Sequence, residues 1–196
     1  MSPVLARRGF LIGVCGAMLT PQAAAAREVA GTWLEESLVQ RSSGARLRLA
    51  GAGIFRFFFL RYYVCGLYLA ADAPAGEPLQ HDTPRRLAMV MLRNVSAGEF
   101  LWGLDRGVAD NSSAAELQAL RDSLDALRAA IRGVGALARG AHVALDYVPR
   151  QGTLLSVDGL GRAPAIAGKA FNDALLRVWL GERPLDSSLK EALLAG

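Results

Sequence analysis

The feature of this sequence that most constrains its fold is a long, mostly apolar run, GAGIFRFFFLRYYVCGLYLA, at residues 51–70. The run is rich in aromatic and β-branched residues and has no apolar stripe at helical spacing, so it favours strand over helix. We therefore predict one long strand here, or two strands joined at a bend. Gly51 and Gly53 open the run. They are too few for a dinucleotide-binding fingerprint and precede no helix, so we interpret them as a bend where backbones approach.

Shorter runs elsewhere have the composition or the alternation of strands. They lie at residues 29–40, 45–51, 86–93, 141–149 and 152–159. The last two flank the turn PRQG and are predicted to form a hairpin. The 86–93 run is apolar nearly throughout, which is typical of a strand buried on both faces. The proline and glycine content of 71–84 indicates a loop.

Two serine–glutamate pairs mark the beginnings of helices. Ser96 and Glu99 have the spacing of a capping box and predict a helix through about Ala109. Ser113 and Glu116 repeat this spacing before a second stretch, in which apolar residues recur every three or four positions. We interpret that stretch as a helix packed on a core rather than a coiled coil, because it covers fewer than three heptads and ends in glycines.

The C-terminal part of the chain is predicted to be helical. A helix is expected over about 166–180, ended by Gly181, and a last short helix is expected after Asp186, a residue type that caps helix N-termini. Strands are thus followed by helices, then by strands and helices again. This order predicts an α+β domain in which a large antiparallel sheet is covered on one side by a layer of helices.

The first 26 residues have the three parts of a secretory signal. Arg7 and Arg8 precede an apolar run at Gly9–Thr20, and the alanines at 23–26 offer a cleavage site. The apolar run is too short to span a bilayer, which takes about 20 residues. The string ARRGFLI is similar to a twin-arginine signal but lacks the usual Ser or Thr before the pair, so this route and general secretion both stay open. We therefore predict cleavage near Ala26, a periplasmic or secreted protein, and a single mature domain at 27–196.

The remaining composition limits the chemistry that the chain can perform. Among its 196 residues there are only two histidines and two cysteines, too few for a histidine-built zinc site or a disulfide framework. Cys15 lies in the signal and Cys65 in an apolar run, where we expect a buried, unreactive thiol. The net charge of +4 is not gathered in a basic stripe. We predict no metal, no cofactor and no nucleic-acid partner, and the sequence does not indicate an oligomeric state.

Three stretches together resemble the chalcone isomerase-like family, and in particular its bacterial secreted branch. They are GAGIFRFFFLRYYVCGLYL, LRNVSAGEFLWGL, and DYVPRQGTLLSVDG with the helices that follow it to the C-terminus. They are similar to the family's GxG, aromatic run and GLYL, to its strand-to-helix junction, and to its closing hairpin and helices. The resemblance covers most of 45–196. It implies a large antiparallel sheet under a layer of helices, with a cleft between the two.

The resemblance also implies where a chalcone-cyclising enzyme would hold its polar groups. Such an enzyme needs an arginine against the developing enolate charge, together with hydroxyls and an amide. The corresponding positions in this sequence are Phe55, Tyr63, Phe100, Gly107 and Ala163. Most of the polar set is absent, so we predict no meaningful chalcone cyclisation and assign no catalytic residue.

The family's fatty-acid-binding relatives use the same cleft, and this suggests a ligand. We predict an apolar molecule with one anionic end, such as a fatty acid, bound by Arg56, Tyr63, Phe100 and Trp102. Arg56 stands inside the apolar run, where a charged side chain is costly unless it reaches water or a partner.

Three other interpretations remain open. The aromatic residues could interlock into a solid core, with Trp102 and Trp179 as core residues and the arginines reaching solvent. An isomerase or lyase activity could use Arg56 and Tyr63. The protein could also be a structural or partner-binding periplasmic protein without a small ligand.

Overall fold

The structure is a computed structural model and describes residues 25–71, 73 and 77–195. The predicted signal at 1–26 therefore lies almost wholly outside the described residues. These form eleven strands and five helices. The strands are β1 (Ala26–Val29), β2 (Thr32–Glu35), β3 (Ser37–Val39), β4 (Arg46–Phe57), β5 (Leu60–Ala70), β6 (Arg85–Met91), β7 (Val95–Ser96), β8 (Ala136–Leu137), β9 (His142–Val148), β10 (Gly152–Val157) and β11 (Leu160–Gly161). The helices are α1 (Ala97–Asp110), α2 (Ala114–Ala119), α3 (Arg121–Val134), α4 (Lys169–Leu180) and α5 (Ser187–Leu194).

Seven strands form one antiparallel sheet in the order β11-β10-β9-β6-β5-β4-β3. The helices cover one face of this sheet, where residues of α1, α3, α4 and α5 join sheet residues in the larger apolar cluster. A smaller cluster lies on the other face and is partly covered by the β1–β2 hairpin through Leu34. The predicted α+β architecture, an antiparallel sheet under a layer of helices, is confirmed.

The aromatic run forms a hairpin. It begins within β4, reverses direction at Phe58 and Phe59, and continues as β5. Of the two predicted alternatives, the structure has two strands rather than one. They are joined by a tight turn that reverses the chain. The predicted strand at 45–51 is the first half of β4 rather than a separate element.

Two irregularities in the β4–β5 pairing decide which side chains point toward the helices. Register shifts occur between Leu49 and Gly51 and between Phe55 and Arg56. Such a bulge places an extra residue in one strand and changes the face that the following side chains occupy. Leu49 accordingly lies in the smaller cluster, whereas Phe55 lies in the larger one beneath the helices.

The glycines that begin the aromatic run allow α5 to lie directly on β4. A Cβ atom at Gly51 would lie 2.5 Å from the carbonyl carbon of Leu193 and would also meet the backbone oxygens of Ala192 and Leu193. At Gly53 a Cβ would lie 2.8 Å from the Cβ of Ala192 and 3.0 Å from Cδ1 of Leu189. The predicted close approach of two backbones is present, and the second backbone belongs to the C-terminal helix.

Both predicted capping boxes are present. Ser96 Oγ accepts a hydrogen bond from the Glu99 backbone N–H, and Ser113 does the same for Glu116. The second predicted helix is in fact two, α2 and α3, which meet at Leu120 with φ −98° and ψ 5°. The expectation of one continuous helix is wrong because a short connection at Leu120 changes the direction of the chain there.

The C-terminal helices begin near their predicted positions. α4 begins at Lys169 rather than 166, because Gly168 before it has a φ of 100°, outside the helical region. Asp186 caps α5 by accepting a hydrogen bond from the Leu189 backbone N–H. No helix among the described residues is long and apolar enough to cross a membrane.

A buried polar network fastens α4 to the sheet. The Arg85 side chain is almost fully buried, donates to Asn172 Oδ1 at 2.8 Å, and forms an ion pair with Asp173. Its guanidinium also lies 4.7 Å from the ring centre of Tyr147. Gln40 is buried too and donates to the Arg85 carbonyl oxygen. Every one of these contacts joins segments that are distant in the sequence.

Candidate ligand cavity

A cavity of about 680 Å³ lies between the sheet and helix α1. Its volume falls within the roughly 300–1,000 Å³ that is typical of small-molecule sites. The sheet supplies Phe55, Phe57, Tyr62, Tyr63 and Met91, followed by Val95; α1 supplies Gly98, Glu99, Phe100, Trp102, Gly103, Leu104, Arg106 and Asp110; Trp179 of α4 and the segment 183–185 complete the wall. The cleft expected between sheet and helices is therefore open.

The inner part of the cavity is aromatic. Phe55 and Tyr63 are buried cross-strand partners and stack with their ring centres 4.9 Å apart. Tyr62 packs against Phe55 at 5.8 Å. The interlocked aromatic core that was one interpretation of the sequence thus exists in part, but it forms one wall of the cavity and does not fill it.

One hydroxyl in this aromatic wall is free to donate. Trp179 Nε1 donates to Tyr63 Oη at 2.9 Å, so the oxygen accepts. Among the described residues, the Tyr63 O–H has no acceptor of its own. Burial raises the pKa of Tyr63 well above its usual value, so the group stays neutral and keeps its proton. The cavity therefore contains a neutral hydrogen-bond donor next to apolar surface.

The charged lining residues lie on α1 and on the segment after α4. Arg106 and Arg183 are exposed cations. Arg106 makes an ion pair of 3.5 Å with Asp110 and lies 5.7 Å from the ring centre of Trp102. The Glu99 carboxylate caps α1, and its hydrogen bond from the Ser96 backbone N–H holds its pKa below the usual range. Two guanidinium groups thus stand at the solvent-facing rim of an otherwise mostly apolar cavity.

Three of the four predicted ligand-binding residues line the cavity. Tyr63 and Phe100 are buried, and Trp102 is 54% exposed, so the expectation that Trp102 is a core residue is wrong. Arg56 is exposed and is not among the lining residues. Its placement does not fit the predicted role, because successive side chains of β4 point to opposite faces, and Phe55 takes the face toward the cavity.

The two rim arginines were missed by sequence reasoning. For Arg106 a signal existed: Glu99, Trp102, Arg106 and Asp110 recur at intervals of three or four along α1 and therefore share one face of the helix. Arg183 carries no such signal, because it follows α4 and reaches the cavity only through the tertiary packing of that helix.

The one cysteine among the described residues offers no reactive thiol to the cavity. Cys65 is fully buried in the sheet, and burial raises the pKa of its thiol, which keeps the sulfur protonated. Within the described ranges, no group of three or more His, Cys, Asp or Glu residues is placed to hold a metal ion. The arrangement offers a ligand an apolar wall, one neutral donor and, at the rim, two guanidinium groups beside the carboxylates of Glu99 and Asp110.

An antiparallel sheet with helices over one face and a cavity between them defines a class of α+β proteins with an internal ligand cleft. The family model for chalcone isomerase-like proteins matches residues 26–195, so this chain belongs to the chalcone isomerase-like family. Among solved structures, the chain is similar to a fatty-acid binding protein from Arabidopsis thaliana, with a TM-score of 0.60 and 14% sequence identity. That likeness covers 81% of this chain and 96% of the plant protein. No curated protein matches the sequence.

Proposed function

We propose that this protein binds a fatty acid or a similar apolar anion in the cavity and does not cyclise chalcones. The observation that carries the proposal is a mostly apolar cavity of about 680 Å³ with two guanidinium groups at its rim. The similar fold of a plant protein described as fatty-acid binding supports the same class of ligand. A long acyl chain matches the aromatic wall, since its burial there removes apolar surface from water.

The carboxylate of such a ligand belongs at the rim, next to Arg106 and Arg183. A carboxylate buried among the aromatic side chains would lose its hydration and gain a single neutral donor, which is unfavourable. At the rim it keeps water and meets two cations, of which Arg106 is shared with the Asp110 carboxylate. The free O–H of Tyr63 is then available to a second polar atom of the ligand or to a bound water.

A substitution at Gly103 tests occupancy of the cavity. Gly103 lines the cavity, and a Cβ atom there would have Leu185 Cδ1 as its nearest neighbour, at 3.9 Å. Gly103→Leu should therefore place its side chain in the cavity without disturbing α1. A leucine takes the space of about four methylenes, each worth about 0.8 kcal/mol on burial, so palmitate affinity should fall about 200-fold.

Gly133→Leu is the matched control, because this helical glycine has nothing within 4 Å of its Cβ position. Palmitate affinity is measured by displacement of a fluorescent fatty acid. A wild-type protein that takes up no palmitate, or a Gly103→Leu variant that binds as tightly as Gly133→Leu, would contradict the proposal.

The position of the charged end is tested with an uncharged ligand. In the double variant Arg106→Gln and Arg183→Gln, palmitate should bind about five- to tenfold more weakly, since partly exposed ion pairs contribute up to about 1 kcal/mol each. Methyl palmitate should bind the variant and the wild type equally. If the variant loses the same affinity for palmitate and for methyl palmitate, the carboxylate does not bind at these two arginines.

The absence of chalcone isomerase activity follows from the polar positions that the resemblance implies. The arginine position holds Phe55, whose ring stacks on Tyr63 in the cavity wall. An isomerase that paired Arg56 with Tyr63 is not favoured, because the Arg56 side chain does not line the cavity that Tyr63 faces.

We also propose that the protein is exported, as a member of the bacterial secreted branch of the family. The support is the tripartite signal at residues 1–26, and the family model begins at residue 26. Mass spectrometry of the protein from its native host should find an N-terminus near residue 27 in the periplasmic or secreted fraction. A chain that still begins at Met1 in the cytoplasmic fraction would refute export.

A further inference from the structure

The tip of the β4–β5 hairpin exposes more aromatic surface than any structural role in the domain requires. Phe58 is 83% exposed and Phe59 is 90% exposed. Phe57 and Leu60, which pair across the strands beside them, are also partly exposed. Four consecutive large apolar residues on a protruding turn form a contiguous apolar patch, and such patches mark surfaces that meet another apolar body.

The backbone of this turn adopts a conformation that is unfavourable for phenylalanine. Phe58 has a φ of 53°, in the left-handed region. Two-residue hairpin turns that need a positive φ usually place Gly, Asn or Asp there, because a bulky residue is unfavourable. The Phe58 side chain is nevertheless almost fully exposed, and the ring that it packs against, at 4.8 Å, is that of Phe57 in the same hairpin tip.

The patch is flanked by cations without carboxylate partners. Arg56 and Arg61 are direct cross-strand neighbours at the base of the tip, and both are exposed. Like charges in this arrangement repel. Within the part of the chain that the structure describes, neither guanidinium forms an ion pair. The nearby Asp186 carboxylate, which caps α5, accepts from the backbone N–H groups of Arg56 and Leu189.

The tip is continuous with the rim of the cavity. The Phe57 ring lies 5.7 Å from the ring of Trp102, which is itself 54% exposed and has the Arg106 guanidinium nearby. Aromatic side chains surrounded by arginines therefore extend from the hairpin turn to the mouth of the cavity. We call this surface the aromatic tip: Phe57–Leu60 and Trp102, with Arg56, Arg61 and Arg106.

We propose that the aromatic tip docks on an anionic lipid bilayer, with the mouth of the cavity facing the membrane. The side chains of the aromatic tip suit such a bilayer. Aromatic side chains partition into its interfacial region, and the arginines beside them bind acidic headgroups. A convex, protruding turn with unpaired positive charge suits a deformable anionic surface. In this arrangement an acyl chain could pass between membrane and cavity without crossing water.

The first test is cosedimentation of the full chain with vesicles of phosphatidylcholine alone or mixed equally with phosphatidylglycerol. Each variant is compared with wild type carrying the same N-terminus, verified by mass. Phe58→Asn with Phe59→Ser should weaken binding to the anionic vesicles at least tenfold, from the apolar area lost. Arg56→Gln with Arg61→Gln should weaken it about fivefold for each charge removed.

Matched controls separate the tip from general surface effects. Leu160→Ser removes an apolar side chain that is 62% exposed at the opposite edge of the sheet, and Arg150→Gln removes an exposed arginine from the β9–β10 turn. Both should bind vesicles as wild type does. Thermal unfolding checks the fold, and Phe58→Asn should not lower stability, since asparagine tolerates a positive φ better than phenylalanine.

A second measurement reports insertion of the tip itself. A tryptophan introduced by Phe59→Trp should be quenched by lipids brominated in their acyl chains, beyond the quenching of the native tryptophans, whereas one introduced by Leu160→Trp should not. Equal quenching at both sites, unchanged vesicle binding by the tip variants, or no vesicle binding at all would overturn the proposal. Self-association of the wild type that the Phe58→Asn and Phe59→Ser variant abolishes, without insertion, would instead assign this surface to a second copy of the chain.

The docking proposal and the ligand proposal can fail separately. Vesicle binding is measured without free fatty acid, and palmitate binding is measured without vesicles. If the protein binds vesicles but takes up no palmitate, the docking proposal is supported and the proposed ligand is refuted.

Discussion

Gly51→Ala should separate the C-terminal helix from the sheet. The added methyl carbon would lie 2.5 Å from the Leu193 carbonyl carbon and would also meet the backbone oxygens of Ala192 and Leu193. All three neighbours are backbone atoms, so no side-chain rotation relieves the clash. Ordinary contact requires about 3.4 Å or more, so α5 must shift by roughly 1 Å or detach.

The cost can be bounded from the structure. Overpacking of this kind typically costs about 1–3 kcal/mol. Detachment of α5 would expose Leu189 and Leu193, both buried, at about 1.5–3 kcal/mol each. We therefore expect the free energy of unfolding to fall by about 3 kcal/mol. For a domain of this size that corresponds to a melting temperature about 6–12 °C lower.

Two other glycines calibrate the measurement, which is thermal unfolding followed by circular dichroism. Gly133→Ala adds its methyl group to open space on α3 and should raise stability by about 0.5–1 kcal/mol, through helix propensity. Gly53→Ala meets side-chain atoms of α5 at 2.8 and 3.0 Å and should give an intermediate loss. A Gly51→Ala protein that melts with the wild type, while Gly133→Ala behaves as expected, would refute the contact between α5 and β4.

Three further predictions concern the buried polar groups and the activity. Arg85→Met should lower the free energy of unfolding in urea by about 1–3 kcal/mol, because the buried Asn172 Oδ1 loses its donor. Asp173 loses one ion pair but keeps the one with Lys169. Stability should fall as pH rises above about 9, because burial raises the pKa of Cys65 from 9.0 and the unfolded chain then loses the thiol proton first. Tyr68, whose pKa burial raises to about 12, should extend the decline above pH 10, and Cys65→Ala should remove only its first part. The protein should not accelerate the loss of chalcone absorbance over buffer.

Each of these has a contrary outcome. If the Arg85→Met variant unfolds at the same urea concentration as the wild type, water replaces the guanidinium at no cost in stability. A pH profile flat to pH 11, or one that Cys65→Ala leaves unchanged, would mean that the thiol ionises within the folded protein. Saturable chalcone turnover would overturn the ligand-binding proposal in favour of an enzyme.

Local signals in the sequence were sufficient for much of the fold. The capping boxes at Ser96 and Ser113 were predictable because both partners lie within four residues. The sequence could not decide between one long strand and two strands in the aromatic run. The turn between the two strands is made by Phe58 and Phe59, and phenylalanine seldom forms turns. The close approach at Gly51 was expected, but its partner, 141 and 142 positions later at Ala192 and Leu193, was not.

The site was harder to predict than the fold. The first bulge places Ala50 as an extra residue in β4, so that Leu49 faces the smaller cluster and Phe55 faces the helices. No local pattern announces an extra residue in a strand. Arg56 was expected at the cavity and lies outside it, because its neighbour Phe55 takes the cavity side of β4. The cations that do stand at the rim come from α1 and from the segment after α4, and only tertiary packing brings Arg106 and Arg183 together.

The pairing of β6 with β9 has a consequence for the order in which the chain can fold. β6 is apolar on both faces and occupies the middle of the sheet, yet its partner β9 follows only after three helices. Until residues 142–148 are synthesised and paired, β6 is an unprotected edge strand, the kind of surface through which nascent chains aggregate. Such long-range pairing also slows folding. A chain interrupted after α3 would carry that open edge permanently, so it should aggregate even though every residue of its hairpin β4–β5 is present.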